Sequence, residues 1–447
     1  MKWNSRVDMT EGPLTRGIVL FSLPLIATNL LQVLFNMADL AVVGRFAGAA
    51  ALGSVGSCVM LVNLFTGFLI GIGTGVNVVT ARFLGAGREK DVSETVHTSF
   101  LLCLMISAAL LLFGEGLCHP MLRLLGTKDE LLEGAVLYLR IYYSGLPALG
   151  VFNFGNAVLS ASGDTRRPLF YLASAGVLNI GMNLFTVLVL KLGVAGVAIA
   201  SVASQYLSAV LILRALTREA GAVRLSVKDA AIQKGKADMI LRLGIPSGGQ
   251  NAIFSLANLF VQYGVNSFDA ILVEGNAAAA NADGIVYDVM AAFYAACSSF
   301  MSSNYGALRR ERINRSFRIC LLLSFFSAVV LGALLLCFGR EFLGLFAKEP
   351  EVVDAGMKRM RIMCCSYAVS SLMDCAIAAS RGLGRSFGPM LIVMLGSCVF
   401  RIVWVFTVFA HFHTVPSLYL LYVFSWTLTG IAEYAYYRRC RKSLLGG

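Results

Sequence analysis

The chain has 447 residues, 57% of them hydrophobic and 14% charged, with a mean hydropathy of +0.75. Soluble domains carry about 25% charged residues, so an ordinary soluble fold is excluded. The formal net charge of +12 points to nucleic acid only until the charges are placed: with a cytoplasmic N-terminus, 26 of the 37 Lys and Arg fall in alternate, cytoplasmic segments. That is the positive-inside asymmetry, which puts both termini in the cytoplasm and argues against a nucleic-acid partner.

The opening MKWNSRVDMTEGPLTR is polar and lacks the apolar core and cleavage site of a signal peptide, so the first span is expected to be retained. Twelve apolar runs of spanning length follow. They are 17–43, 50–80, 93–114, 131–157, 168–190 and 194–216, then, after a basic connector at 217–238, 239–267, 275–305, 317–338, 353–380, 387–410 and 416–437. The predicted fold is an all-α integral membrane protein: twelve transmembrane helices in two pseudo-symmetric six-helix bundles, 1–216 and 239–447, around a central cleft.

The first span contains PLIATNLLQVLFNMADLAVVGR, in which Gln32, Asn36 and Asp39 recur at i, i+4 and i+7 and share one helical stripe. A carboxylate in a spanning helix costs at least about 2.5 to 3.5 kcal/mol on insertion scales, so it belongs in a wet cavity or beside a partner. Asp39 is therefore the first functional candidate, and Pro24 is a candidate bend in the same helix. In the second span Gly67, Gly71 and Gly75 recur every fourth residue, a spacing that permits close backbone approach between helices. GIGTG in that span follows no strand and is not a nucleotide loop.

Helical depth gathers further polar residues near Asp39. Counted along their spans, Asn179 and Asn183 in the fifth and Ser201 in the sixth lie in the outer half of the same bundle. A carboxylate with amide and hydroxyl partners can hold a proton or, through oxygen ligands, a sodium ion.

The two halves repeat at an offset of about 221 residues, with Pro24 matching Pro246, Asn36 matching Asn258 and SASGDTRRP at Ser160 matching SRGLGRSFGP at Ser380. The seventh span carries its own stripe, Asn251, Ser255, Asn258 and Gln262, expected to line the cleft. The C-terminal half adds Asp283 and Asp288 in the eighth span, Asp374 in the tenth, Arg401 in the eleventh and Glu433 in the twelfth. Arg401, near mid-membrane, is expected to form an ion pair with Asp374 or Asp288. Eleven cysteines form no CxxC, and His411 and His413 make a lone HxH, so no metal site is expected. Nucleophile, metalloprotease and Walker motifs are absent, so neither an enzyme nor an ATP-driven pump is expected.

FNMADLAVVGRF in span one, ARFLGAGR after span two, LSASGDTRRP before span five, GNAAAANADGIVYDVMAAFY in span eight and SRGLGRS after span ten together resemble the multidrug and toxic compound extrusion family of secondary transporters. The resemblance implies an antiporter that exports cationic or amphiphilic small molecules by alternating access, against inward proton or sodium flow and with no other cofactor. It implies coupling at Asp39 with Asn179 and a sixth-helix hydroxyl at Ser201. Where the family often carries a second Asp, this chain has Asn183. The other branch's seventh-helix Glu is missing from Asn251–Gln262, while Asp374 lies on the corresponding tenth helix. A monomer in the cell membrane is expected. The rival reading is a lipid-linked oligosaccharide flippase of the same superfamily.

Overall fold

The computed structural model describes residues 6–446, among which there is no strand. The first half contains α1 (Leu14–Val42), α2 (Ala49–Gly85), α3 (Glu89–Leu124), α4 (Asp129–Tyr143), α5 (Leu146–Ala161), α6 (Arg166–Leu184) and α7 (Gly193–Thr217). The second contains α8 (Lys234–Val265), α9 (Ala270–Gly306), α10 (Arg310–Cys337), α11 (Gly339–Gly344) and α12 (Pro350–Gly382). There follow α13 (Phe387–Val393), α14 (Phe400–Trp404) and α15 (Ala410–Phe412), joined by π-helical turns into one rod, and finally α16 (Val415–Leu445).

Ten helical segments among the described residues are long and apolar enough to cross a membrane, and an eleventh counts if α4 and α5 are one span bent by 46°. The seventh predicted span is α8, which is 32 residues long but carries Gln250, Asn251, Asn258 and Gln262. The fourth, expected as one helix over 131–157, breaks at Ser144 and Gly145. Pro147, in the first turn of α5, has no amide hydrogen to continue the ladder of α4. Large apolar side chains such as Leu112, Phe113, Val177 and Phe326 are exposed, as a surface that meets lipid requires.

The chain divides into two compact units. One comprises Ala27–Gly248 with the N-terminal residues up to Val7, and the other Asp8–Ile26 with Gly249–Gly447. The divisions fall inside α1 and α8, each two residues past the repeated prolines, Pro24 and Pro246. Across Pro24 itself α1 is unbroken.

In the first unit, the apolar faces of α2, α3, α5 and α7 meet around Ile72, Val76, Phe100, Phe154 and Ile212. The connector docks onto this core. Val223 and Leu225 are buried in it, and the Ser226 amide donates to His97 Nε2 at 3.0 Å. The His97 Nδ1 hydrogen is directed to the Ser93 carbonyl at 2.7 Å, so the ring is pinned from both sides. The glycines of α2 work as their spacing predicts: a Cβ on Gly71 would lie 2.2 Å from the Gly248 amide nitrogen, and one on Gly75 would lie 2.6 Å from the Ile240 carbonyl. GDTRR also has a structural reading. Asp164 accepts from the Arg166 and Arg167 amides at the start of α6, and the Arg167 side chain bridges Asp164 and Glu219.

In the second unit, α9, α10, α12 and α16 form the packed centre. The segment before α1 is tied to it: Asn304 donates to the Met9 carbonyl at 2.9 Å, and Arg312 to that of Gly12 at 2.9 Å. Asp269 caps α9 through the Leu272 amide, and Thr414 with Ser417 forms a capping box for α16. Both halves end a helix on a left-handed glycine in the repeated motif, Gly163 with φ 85° and Gly384 with φ 86°.

Because Gly71 faces backbone rather than a movable side chain, Gly71→Val should force α2 and α8 apart and destabilise the first unit by about 3 kcal/mol or more. A fluorescence-detected melting curve of the purified chain checks this, with Gly56→Ala, whose Cβ would meet nothing within 4 Å, as the neutral comparison.

Candidate functional site

Each unit contains its own polar cavity. The first, of about 330 Å³, is lined by Gln32, Asn36 and Asp39 of α1, Asn179 of α6 and Ser201 of α7, and by Tyr138 and Tyr142 of α4. Asp39, three residues past Asn36, is turned inward by the same helical stripe. Its carboxylate accepts a short hydrogen bond from Asn183 Nδ2, which also donates to Asn179 Oδ1 at 3.1 Å. Ser201 and Asn179 bear on the same carboxylate through their side chains. Residues 39, 179, 183 and 201, distant in sequence, thus form one cluster, as the depth argument predicts. Asn183 does not line the cavity but supports its acid from behind.

This donor set can hold a small cation. Besides the carboxylate it offers Asn179 Oδ1 and Ser201 Oγ, while Asn183 presents its Nδ2 donor to both Asp39 and Asn179. A hard cation such as sodium takes oxygen ligands of these kinds, and a proton needs only the carboxylate. Among the described residues no group of three or more His, Cys, Asp or Glu could bind a metal ion, so the site depends on one acid and neutral oxygens. Sequence reasoning missed Tyr138 and Tyr142, whose rings stack at 5.9 Å. Their i, i+4 spacing on α4 was the available signal.

The second cavity, of about 510 Å³, is lined by Asn251, Asn258 and Gln262 of α8, Asp283 of α9, Asp374 of α12 and Arg401 of α14, among others. Two predicted members fall outside it. The Ser255 hydroxyl donates to the Asn251 carbonyl at 3.1 Å, and Asp288 does not line the cavity although its α9 neighbours Tyr287 and Met290 do.

The expected ion pair of Arg401 is not formed. Arg401 makes no ion pair with Asp374, Asp288 or any other acid among the described residues; its Nη1 donates to Asn258 Oδ1 at 3.0 Å, and its guanidinium lies 4.6 Å from the centre of the Tyr422 ring. An amide and an aromatic face have replaced the carboxylate. The ion pair in this cavity is made instead by Arg359 and Asp283, with Tyr367 donating to the same carboxylate and Asn276 accepting from Arg359. Arg359 lies near the start of the tenth predicted span, 353–380, and is only 7% exposed. Glu433 is fully buried, with Arg381 and Asp374 as its charged neighbours.

A many-helix membrane chain, duplicated in sequence, with a carboxylate–amide–hydroxyl cluster in one repeat, belongs to the class of secondary transporters. The MatE family model matches it twice, at residues 24–185 and 246–407, and the chain belongs to that family. The probable multidrug resistance protein YpnP of Bacillus subtilis is 26% identical over 87% of this chain and 86% of its own length. An FAD transporter of Shewanella oneidensis is 22% identical over 88% and 87% respectively. A crystal structure of MATE in complex with MaL6 superposes with a TM-score of 0.92 over 99% of both chains at 20% identity, which establishes the shared fold. The protein is a multi-pass membrane transporter of small molecules of the multidrug-efflux type, not an enzyme.

Removing one partner of a buried ion pair leaves an uncompensated charge at a cost of about 3–5 kcal/mol. Arg359→Met should therefore destabilise the second unit by that order, and Arg359→Met combined with Asp283→Asn should recover most of the loss. Melting curves of the single and double variants check both.

Proposed function

We propose that the chain is an antiporter that exports cationic or amphiphilic small molecules by alternating access, driven by inward movement of a proton or a sodium ion bound at Asp39. The observation that carries the reading is the convergence of Asn183, Asn179 and Ser201 on the Asp39 carboxylate at the wall of a cavity. When the ion binds, the carboxylate loses its net charge, and the hydrogen bonds that hold α1 to α6 are redistributed. When it leaves, the negative charge is restored and attracts a cationic substrate to the cavity. Membership of the MatE family and the multidrug resistance relatives support small-molecule export over lipid-linked oligosaccharide flipping. We place the protein in the cell membrane with both termini cytoplasmic, on the asymmetry of its Lys and Arg, and take the working unit to be the monomer.

The cluster has one carboxylate, so one ion is expected per cycle. In right-side-out vesicles loaded with a cationic dye such as ethidium, a proton gradient and a sodium gradient imposed separately identify the coupling ion. Asp39→Asn should insert normally yet reduce gradient-driven efflux by about tenfold or more, the order seen when a charge-assisted interaction is lost. Full efflux by that variant would sink the assignment.

A further inference from the structure

The two matches to the family model begin at 24 and 246 and end at 185 and 407, so positions near either end lie 222 residues apart, although the repeated turns at Gly163 and Gly384 between them lie 221 apart. Paired at 222, five wall positions of the two cavities can be compared. Gln32 and Asn36 become Phe254 and Asn258, Asp39 becomes Val261, Asn179 becomes Arg401, and Ser204 becomes Trp426; each of the ten lines the cavity of its own unit. The same wall has lost its acid, gained a base and exchanged two small polar surfaces for aromatic ones.

We propose that the cavity of the second unit binds flat aromatic carboxylates, with the carboxylate on Arg401 and the ring among Phe254, Tyr422 and Trp426. The guanidinium is permanently charged and offers five N–H donors. Only two of them are engaged among the described residues, by Asn258 Oδ1 at 3.0 Å and, weakly, by Ser425 Oγ at 3.5 Å. Both partners are neutral. Arg401 is 2% exposed, so bulk water does little to screen its charge.

Asp283 is paired with Arg359, and Asp374, which also lines the cavity, makes no ion pair with Arg401 among the described residues. That leaves Arg401 as the cation without an anion of its own. Its faces are claimed by rings, with Tyr422, Phe254 and Trp426 centred 4.6, 5.7 and 5.8 Å from it. A planar carboxylate is the group that pairs with a guanidinium edge through two parallel hydrogen bonds. A cavity of about 510 Å³ is in the range that takes a molecule of drug size.

The proposal does not depend on coupling at Asp39, because it concerns equilibrium binding without a gradient. The test is calorimetric titration of the purified full chain in phosphatidylcholine nanodiscs, with empty nanodiscs subtracted, using three probes of one shape: 2-naphthoate, 2-naphthamide and 2-naphthylmethylammonium. The wild-type chain should bind naphthoate roughly tenfold or more tighter than either of the others, and Arg401→Gln should erase that preference while Asp39→Asn keeps it. Equal binding of the three probes by the wild-type chain would overturn the proposal. So would a preference that survives in Arg401→Gln, and if that variant does not fold, the wild-type comparison decides alone.

Discussion

A bilayer offers no hydrogen bonds, so every polar group carried into it by a spanning helix must be answered by another part of the protein. The structure depends on this constraint at each informative position. Asp39 is answered by Asn183, Asp283 by Arg359 and Tyr367, and Arg401 by Asn258 and a set of rings. The helices that carry these groups are therefore held in register by polar contacts, while their outward faces need only be apolar. Functional chemistry and helix packing use the same few side chains.

The constraint also explains what was legible in the sequence. Position along a span converts to depth at a fixed rise per residue, so the meeting of Asp39 with Asn179, Asn183 and Ser201 followed from counting. The glycine spacing in α2 likewise contained its consequence, because only close backbone contact rewards a small residue every fourth position. Partner choice was less legible. Arg401 was assigned a carboxylate on electrostatic grounds, but depth leaves rotation about the helix axis undetermined, and Arg401 meets an amide and aromatic faces instead. Arg359 was hidden by its place near a predicted helix end, since a long, thin side chain can reach a cavity from there. The break between α4 and α5 was masked by continuous hydrophobicity, and only Gly145 with Pro147 marked it.

The repeat shows which parts of a transporter scaffold are conserved by geometry and which are free. Gly163 and Gly384 keep the same left-handed turn, and Pro24 and Pro246 each precede a change of unit by two residues. These positions govern the backbone, where a substitution propagates. The cavity walls differ more: Asp39 and Asn179 of the first unit stand where the second has Val261 and Arg401, and each set makes its own contacts between helices.

That freedom carries a limit on charge. Placing Arg401 where the first unit has Asn179 is tolerable only because Val261 stands where Asp39 would be; with both present, the arginine would pair with the acid and fill the position of an incoming ion. Conversely, Asp39 retains an open coordination sphere because its neighbours in α6 and α7 are neutral amides and a hydroxyl. A cation site must keep its acid free of fixed cations, and an anion site must keep its base free of fixed acids. The two cavities differ on one backbone plan at the positions of Asp39 and Asn179, where the second carries Val261 and Arg401, and at those of Gln32 and Ser204, where it carries Phe254 and Trp426.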